Sequence, residues 1–215
     1  MYNAKRAKTK SFLALISVNK SRIEVLFPRK SPLVQCFHER IGIKFLDVVN
    51  ASLLPCAEGG WRCVNGGGAV GLMGAVTDGA LDAGGEVTGV IPKFMVDNGW
   101  CYDRLEDVII TADMHQRKHM MSDMADAVIA LPGGVGTFEE LLETLTWRQL
   151  GLVKVPVIIL NTLGYYDALL EMLGHSIDEG FMKPSHGQLW QVASTPQDAI
   201  ALLGTEKPME FESKY

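Results

Sequence analysis

Three glycines inside one decapeptide constrain this chain more than any other feature of it. Leu131-Pro132-Gly133-Gly134-Val135-Gly136-Thr137-Phe138-Glu139-Glu140 stands between two segments of different hydrophobic period. Residues 127–131 are short, apolar and closed by a proline, the pattern of a strand buried on both faces. After the glycines, Phe138, Leu141, Leu142 and Leu145 fall on one helical stripe while Glu139, Glu140 and Glu143 lie off it. The expected unit is a strand running through a turn into a helix N-terminus. Unpaired N–H groups and the positive end of the helix dipole favour an anion there, and glycines let a phosphate approach closely. Thr137 and Glu140 also have the spacing of a capping box, which suits any helix start. Capping alone does not call for Gly133, Gly134 and Gly136 together, because each glycine carries an entropic cost that ordinary loops avoid.

The 215 residues, 47% hydrophobic and 21% charged, suffice for one α/β domain with a well-buried core. A net charge of -5 with acids and bases interspersed offers no basic face for nucleic acid. Lys5, Arg6, Lys8 and Lys10 read as a solvated cluster. Cys36, Cys56, Cys63 and Cys101 lack C-x-x-C spacing, as expected of reduced thiols in a cytoplasmic protein. No apolar run reaches the roughly 18 residues of a membrane span, so no membrane partner is expected. Residues 11–18 superficially resemble a signal peptide, but the apolar stretch is minimal and no small-residue cleavage site follows.

Up to residue 60 the signals are sparse: a strand over 23–27, a loop over 28–31, and a helix over 34–54 weakened by Ile41, Ile43, Val48 and Val49. From Trp61 the elements alternate. Strands are predicted over 61–64, 87–91, 107–111, 128–131, 155–160 and 189–192, and helices over 71–83, 113–124, 137–150, 165–179 and 196–203. That alternation implies βαβ units and an α/β fold with a mostly parallel sheet, helices on both faces, and ligands beyond the carboxyl ends of the strands.

Gly66, Gly68 and Gly71 fit G-x-G-x-x-G after a strand. The following strand ends Ile91-Pro92-Lys93, without the acidic residue that would hold a dinucleotide ribose, so a redox site is not expected. His115 and His119 have a spacing that can bind zinc, yet Gln116-Arg117-Lys118 between them supplies two cations and no glutamate. Met114, Met120, Met121 and Met124 read as core. Arg117 and Lys118 belong to the crossover before the glycine turn, which brings them to the same mouth, and a guanidinium can grip phosphate with two parallel hydrogen bonds. No G-K-[ST] and no G-x-S-x-G is present, which argues against P-loop nucleotide hydrolysis and acyl transfer.

Gly66-Gly67-Gly68-Ala69-Val70-Gly71-Leu72-Met73-Gly74, Asp113-Met114-His115-Gln116-Arg117-Lys118, the Pro132–Glu140 run and Leu145-Thr146-Trp147-Arg148-Gln149-Leu150-Gly151 together resemble the LOG (Lonely guy) family. These are the cytokinin riboside 5'-monophosphate phosphoribohydrolases, often mislabelled lysine decarboxylases. The resemblance spans about Trp61 to Leu203 and implies a single Rossmann-like domain over 61–215 preceded by an atypical part over 1–60. It further implies a homodimer or larger homo-oligomer that hydrolyses a nucleoside 5'-monophosphate to free base and ribose 5-phosphate without metal or cofactor. Arg117 and Glu140 match the family's essential arginine and glutamate. Gly133, Gly134, Gly136 and Thr137 match its phosphate cradle, Gly67 and Gly68 its glycine loop that binds substrate, and Lys118, Glu139 and Thr146 its nucleotide pocket. A non-catalytic nucleotide or phospho-ligand binder on the same scaffold is the alternative. A lysine decarboxylase would need pyridoxal phosphate and a Schiff-base lysine that nothing in the sequence marks. The chain departs from the family where a first strand usually ends in C-G-S-S or C-G-A-S, and Asn65 replaces a usual tyrosine. The abrupt onset near Trp61 implies that the preceding part has diverged or was translated in an altered reading frame.

Overall fold

Short apolar runs become parallel strands. The computed structural model describes residues 10–15 and 61–203. Within them β1 (Lys10–Leu15), β2 (Trp61–Asn65), β3 (Val87–Pro92), β4 (Asp107–Thr111), β5 (Ala127–Ala130), β6 (Val157–Leu160) and β7 (Gln191–Ala193) form one sheet in the order β4-β3-β2-β1-β5-β6-β7. Every pairing is parallel. The helices are α1 (Leu72–Asp82), α2 (Lys93–Asp97), α3 (Met114–Met124), α4 (Val135–Gln149), α5 (Asp167–Asp178) and α6 (Pro196–Leu202), with 3-10 turns at Thr162–Gly164 and Pro184–Gln188.

Alternate residues of the buried strands feed two cores. On one face Val64, Val90, Val128, Ala130 and Ile159 pack against Met121 of α3, Leu141 and Leu145 of α4 and Leu173 of α5. On the other, Cys63, Val87, Ile129 and Ile158 meet Leu72 and Val76 of α1 and Ala199 of α6. Three helices thus cover one face and two the other.

The chain winds outward from β1 to β4, then returns to β5 and continues to the opposite edge. Strand order reverses between β1 and β5, and the crevice at their carboxyl ends is where ligands bind in sheets of this kind. The Gly133–Gly136 turn leaves β5 at that crevice, and the Gly66–Gly68 loop leaves β2 beside it.

The predicted strand over 23–27, loop over 28–31 and helix over 34–54 lie outside the described residues. The central position is taken by Lys10–Leu15, part of the stretch with signal-like character. Backbone pairing of Phe12 with Cys63 on one side and Ala127 on the other fixes its register. A central strand needs only a short apolar run, and lysine at its start gave that run the look of a basic leader. The predicted strand at 189–192 shrinks to Gln191–Ala193, because Pro184 opens a 3-10 turn that continues to Gln188.

Candidate active site

Asp113 caps α3, accepting from the Gln116 N–H at 2.8 Å, and so starts the helix at the carboxyl edge of the sheet. One turn in, Arg117 is buried, its Nη1 3.6 Å from the Met114 sulfur. Its Nη2 lies 3.3 Å from Glu140 Oε1, with both side chains 5% exposed. Gly66 makes room for this guanidinium: a Cβ there would sit 2.1 Å from Nη2. The G-x-G-x-x-G pattern thus serves close approach by an arginine from another element. Of the four methionines on α3, Met121 is core and Met120 and Met124 pack on it, whereas Met114 seats Arg117.

Glu140 was expected off the apolar stripe but is buried in the second turn of α4. A buried charge is costly unless paired and hydrogen-bonded. This pair is incompletely satisfied: Glu140 Oε2 and Arg117 Nε have no hydrogen-bond partner. Burial pushes the Glu140 carboxyl above its ordinary value, and the Arg117 charge pulls it back only in part. Orphaned buried polar atoms of opposite sign side by side can be satisfied by a polar ligand or by ordered water.

At the start of α4 the capping box is not formed. Gly134 is the N-cap and contributes no side chain, the helix begins at Val135, and Thr137 is its third residue. Backbone at the glycines enters the helix three residues earlier than capping by Thr137 would allow. The fully buried Thr137 instead turns its hydroxyl onto Gly133, where a Cβ would come within 2.1 Å of Oγ1. Gly134 precedes the first turn of α4 and Gly136 lies within it. Two tyrosines reach the turn from the segment after β6. The Tyr166 hydroxyl donates to the Leu131 carbonyl at 2.6 Å, and the Tyr165 hydroxyl donates to that of Gly133.

Asn65, which stands where the family has tyrosine, organises the first loop. Its Oδ1 accepts from Gly67 N–H at 2.9 Å while its Nδ2 donates to Thr77 Oγ1 at 3.0 Å. Gly68 N–H points at the Met73 sulfur at 3.0 Å, and Tyr102 N–H donates to the Gly67 carbonyl at 2.9 Å. Gly67 and Gly68 therefore lie in a loop braced from three sides, adjacent to the Arg117 guanidinium through Gly66.

Lys118 is committed to α4. Its Nζ pairs with Glu139 and lies 3.0 Å from Glu143 Oε2. Burial alone would lower its pKa, but the two carboxylates outweigh burial and hold the ammonium form. A shallow open cleft between α3 and α4 is lined by Lys118, Ser122, Glu140, Glu143, Thr144 and Trp147. Thr144 donates to the Glu140 carbonyl at 2.8 Å, and His119 lies edge-on to Trp147 with ring centroids 5.5 Å apart. Thr146 stands outside this cleft, exposed and donating to the Leu142 carbonyl at 2.7 Å. Thr144, Trp147, Tyr165 and the Gly66 contact were not singled out from sequence; the small residue at 66 was the one signal available.

The family described as possible lysine decarboxylase matches residues 73–203, more than half of the chain. This chain belongs to that family. Among LOG-family relatives, the cytokinin riboside 5'-monophosphate phosphoribohydrolase LOG5 of Arabidopsis thaliana is 43% identical over 146 residues, 68% of this chain and 64% of its own length. The probable cytokinin riboside 5'-monophosphate phosphoribohydrolase LOGL2 of Oryza sativa is 44% identical over 145 residues, 67% of this chain and 59% of its own. The matched region thus spans less than two thirds of the length of these two relatives. Among solved structures, the molybdenum cofactor binding protein of Rippkaea orientalis superposes with a TM-score of 0.60 at 21% identity, covering 91% of this chain and 96% of that one. The molybdenum cofactor carrier protein of Chlamydomonas reinhardtii gives 0.60 at 22% identity with the same coverage. At that identity the likeness is one of fold.

Proposed function

We propose that this LOG-family chain hydrolyses the N-glycosidic bond of a purine nucleoside 5'-monophosphate, carrying adenine or an N6-modified adenine, to free base and ribose 5-phosphate. The buried, half-satisfied Arg117–Glu140 pair beside the glycine turn carries the proposal. Cleaving a ribosyl–base bond builds positive charge on the sugar. A carboxylate at the rim of the site stabilises that charge and positions or deprotonates the attacking water. Phosphate held at the start of α4 supplies binding energy remote from the reacting carbon and aligns it. Arg117 orients the phosphate or the departing base, and its charge opposes in part the rise that burial imposes on the Glu140 carboxyl. No metal or redox cofactor enters this scheme.

A binder without turnover has no use for a buried carboxylate next to a phosphate cradle, since that charge repels the ligand, so Glu140 favours the hydrolase. Lysine decarboxylation is disfavoured at Lys118, whose clasp by Glu139 and Glu143 keeps it an ammonium ion where a Schiff base needs a free amine. Exposed Leu142 and Leu150 on α4 and its end, and Met172 on α5, support a homodimer or larger homo-oligomer through the helices of this face. The buried Cys63 and the half-buried Cys101, in a chain with few cysteines and no C-x-x-C spacing, suit a cytoplasmic setting. Among the described residues no helix is long and apolar enough to cross a membrane.

The test is incubation of purified protein with AMP and with an isopentenyladenine ribotide, assaying released base, with Glu140→Ala as control. Release that depends on Glu140 is expected. Tight nucleotide binding with no release by the wild type would establish the binder instead.

A further inference from the structure

The segment joining β6 to α5 is built with more care than a connection needs. Leu163 adopts φ 56 within it, the one non-glycine residue with positive φ among those described, and is 72% exposed, so no packing of its own compensates the strain. The surroundings impose that conformation. Asn161 donates its N–H to the Ala193 carbonyl at 2.8 Å, accepts from Tyr166 N–H at 2.7 Å through Oδ1, and donates through Nδ2 to Asp167 at 2.7 Å. Thr162 Oγ1 donates to the Ser194 carbonyl at 3.2 Å. The product of this bracing is the placement of two adjacent hydroxyls, Tyr165 and Tyr166, on two carbonyls of the glycine turn.

Those two carbonyls are not equivalent. The Leu131 carbonyl shares its peptide plane with Pro132, which has no N–H, so Tyr166 anchors the turn without aiming a donor. The Gly133 carbonyl shares its plane with the N–H of Gly134, the N-cap of α4. The described peptides are trans, and in a trans peptide C=O and N–H point in opposite directions. Fixing the carbonyl toward Tyr165 therefore fixes the Gly134 N–H away from it. A peptide between two glycines resists reversal least of all, because neither flank has a Cβ to oppose it. Reversed, it would present a carbonyl oxygen to an anion.

Resting on the assignment of the turn as a phosphate cradle, we propose that Tyr165 is a positioning residue that holds the Gly133–Gly134 peptide in one orientation and so keeps the Gly134 N–H as a donor to the bound phosphate. Leu163 and Asn161 set the tyrosine. The ligand class that senses the latch is a phosphomonoester on a pentose.

The experiment compares wild type, Tyr165→Phe and Tyr166→Phe as full chains, by calorimetric titration with ribose 5-phosphate and by thermal melting. Tyr165→Phe keeps the ring and is expected to weaken ribose 5-phosphate by about tenfold, the scale of one lost hydrogen bond to a charged group, while its Tm stays near wild type. Tyr166→Phe is expected to lower Tm and to leave the affinity within about twofold of wild type. Unchanged affinity in Tyr165→Phe sinks the latch, as does equal weakening in both variants, which would mean that general firmness of the turn matters rather than the aim of one donor. Failure of the wild type itself to bind ribose 5-phosphate removes the cradle assignment and the latch with it, before any variant is compared.

Discussion

Glu140 gathers the opposing demands of this protein at one atom group. Burial raises its pKa and Arg117 lowers it, with burial ahead, so protons reach it at higher pH than they reach an ordinary carboxylate. If the ionised form acts, kcat/KM falls as pH drops, with a midpoint above that of an ordinary carboxylate, and a pH–rate profile with AMP reads that limb. Glu140→Gln keeps the shape and is expected to cost about 10²–10⁴-fold in base release, while calorimetry still registers ribose 5-phosphate. Gly66→Ala addresses the partner. The added methyl collides with the buried Arg117 guanidinium and displaces it from Glu140, which then stays buried without its cation. Activity should therefore drop at least about tenfold, and Tm should fall with it. Wild-type turnover in Gly66→Ala would show that Arg117 does not need its present place. The motif carried both charged residues in plain view of the sequence, but the burial of Glu140 was hidden. Hydrophobic periodicity counts an acid as an outward position, and only a cation arriving from α3 makes the inward one tolerable.

At the scale of elements, the helix after the glycines shows what local pattern can and cannot resolve. Its existence was legible from the 138–145 stripe, whereas its first turn was not, since Thr137 and Glu140 satisfied a capping rule that backbone geometry at Gly134 overrode. Apart from the short α2 (Lys93–Asp97), for which no helix is predicted, the alternation from Trp61 onward gave the strands and helices to within a few residues, because runs buried on both faces leave little ambiguity. The β6–α5 connection, by contrast, gave no signal: left-handed leucine is not a preference that sequence advertises. Leu163→Gly relieves that strain, and with 72% of the side chain exposed little packing is lost. We expect a gain of about 0.5–1 kcal/mol, measured as a higher urea midpoint at unchanged m-value. No gain would mean that added freedom in the unfolded chain offsets the relief.

Across the whole molecule, the order β4-β3-β2-β1-β5-β6-β7 puts the strand that comes earliest in the described chain at the centre. The strand predicted over 23–27 lies outside the described residues, and a run of six residues beside a lysine carries too little pattern to mark β1. Backbone alone argues its importance. β1 is bonded along both edges, so Leu13→Pro deletes a ladder donor in the middle of the sheet and should abolish soluble, cooperative folding, checked by far-ultraviolet circular dichroism and gel filtration. The same placement has a kinetic side. As the polypeptide emerges from the ribosome, the second edge of β1 stays open until Ala127–Ala130 has been made, far along the chain. Contacts so distant in sequence close slowly, and an uncovered strand edge is the surface on which nascent chains pair with the wrong neighbour. Yield from a cell should therefore depend on how quickly synthesis passes β5, and on what shields β1 while it waits.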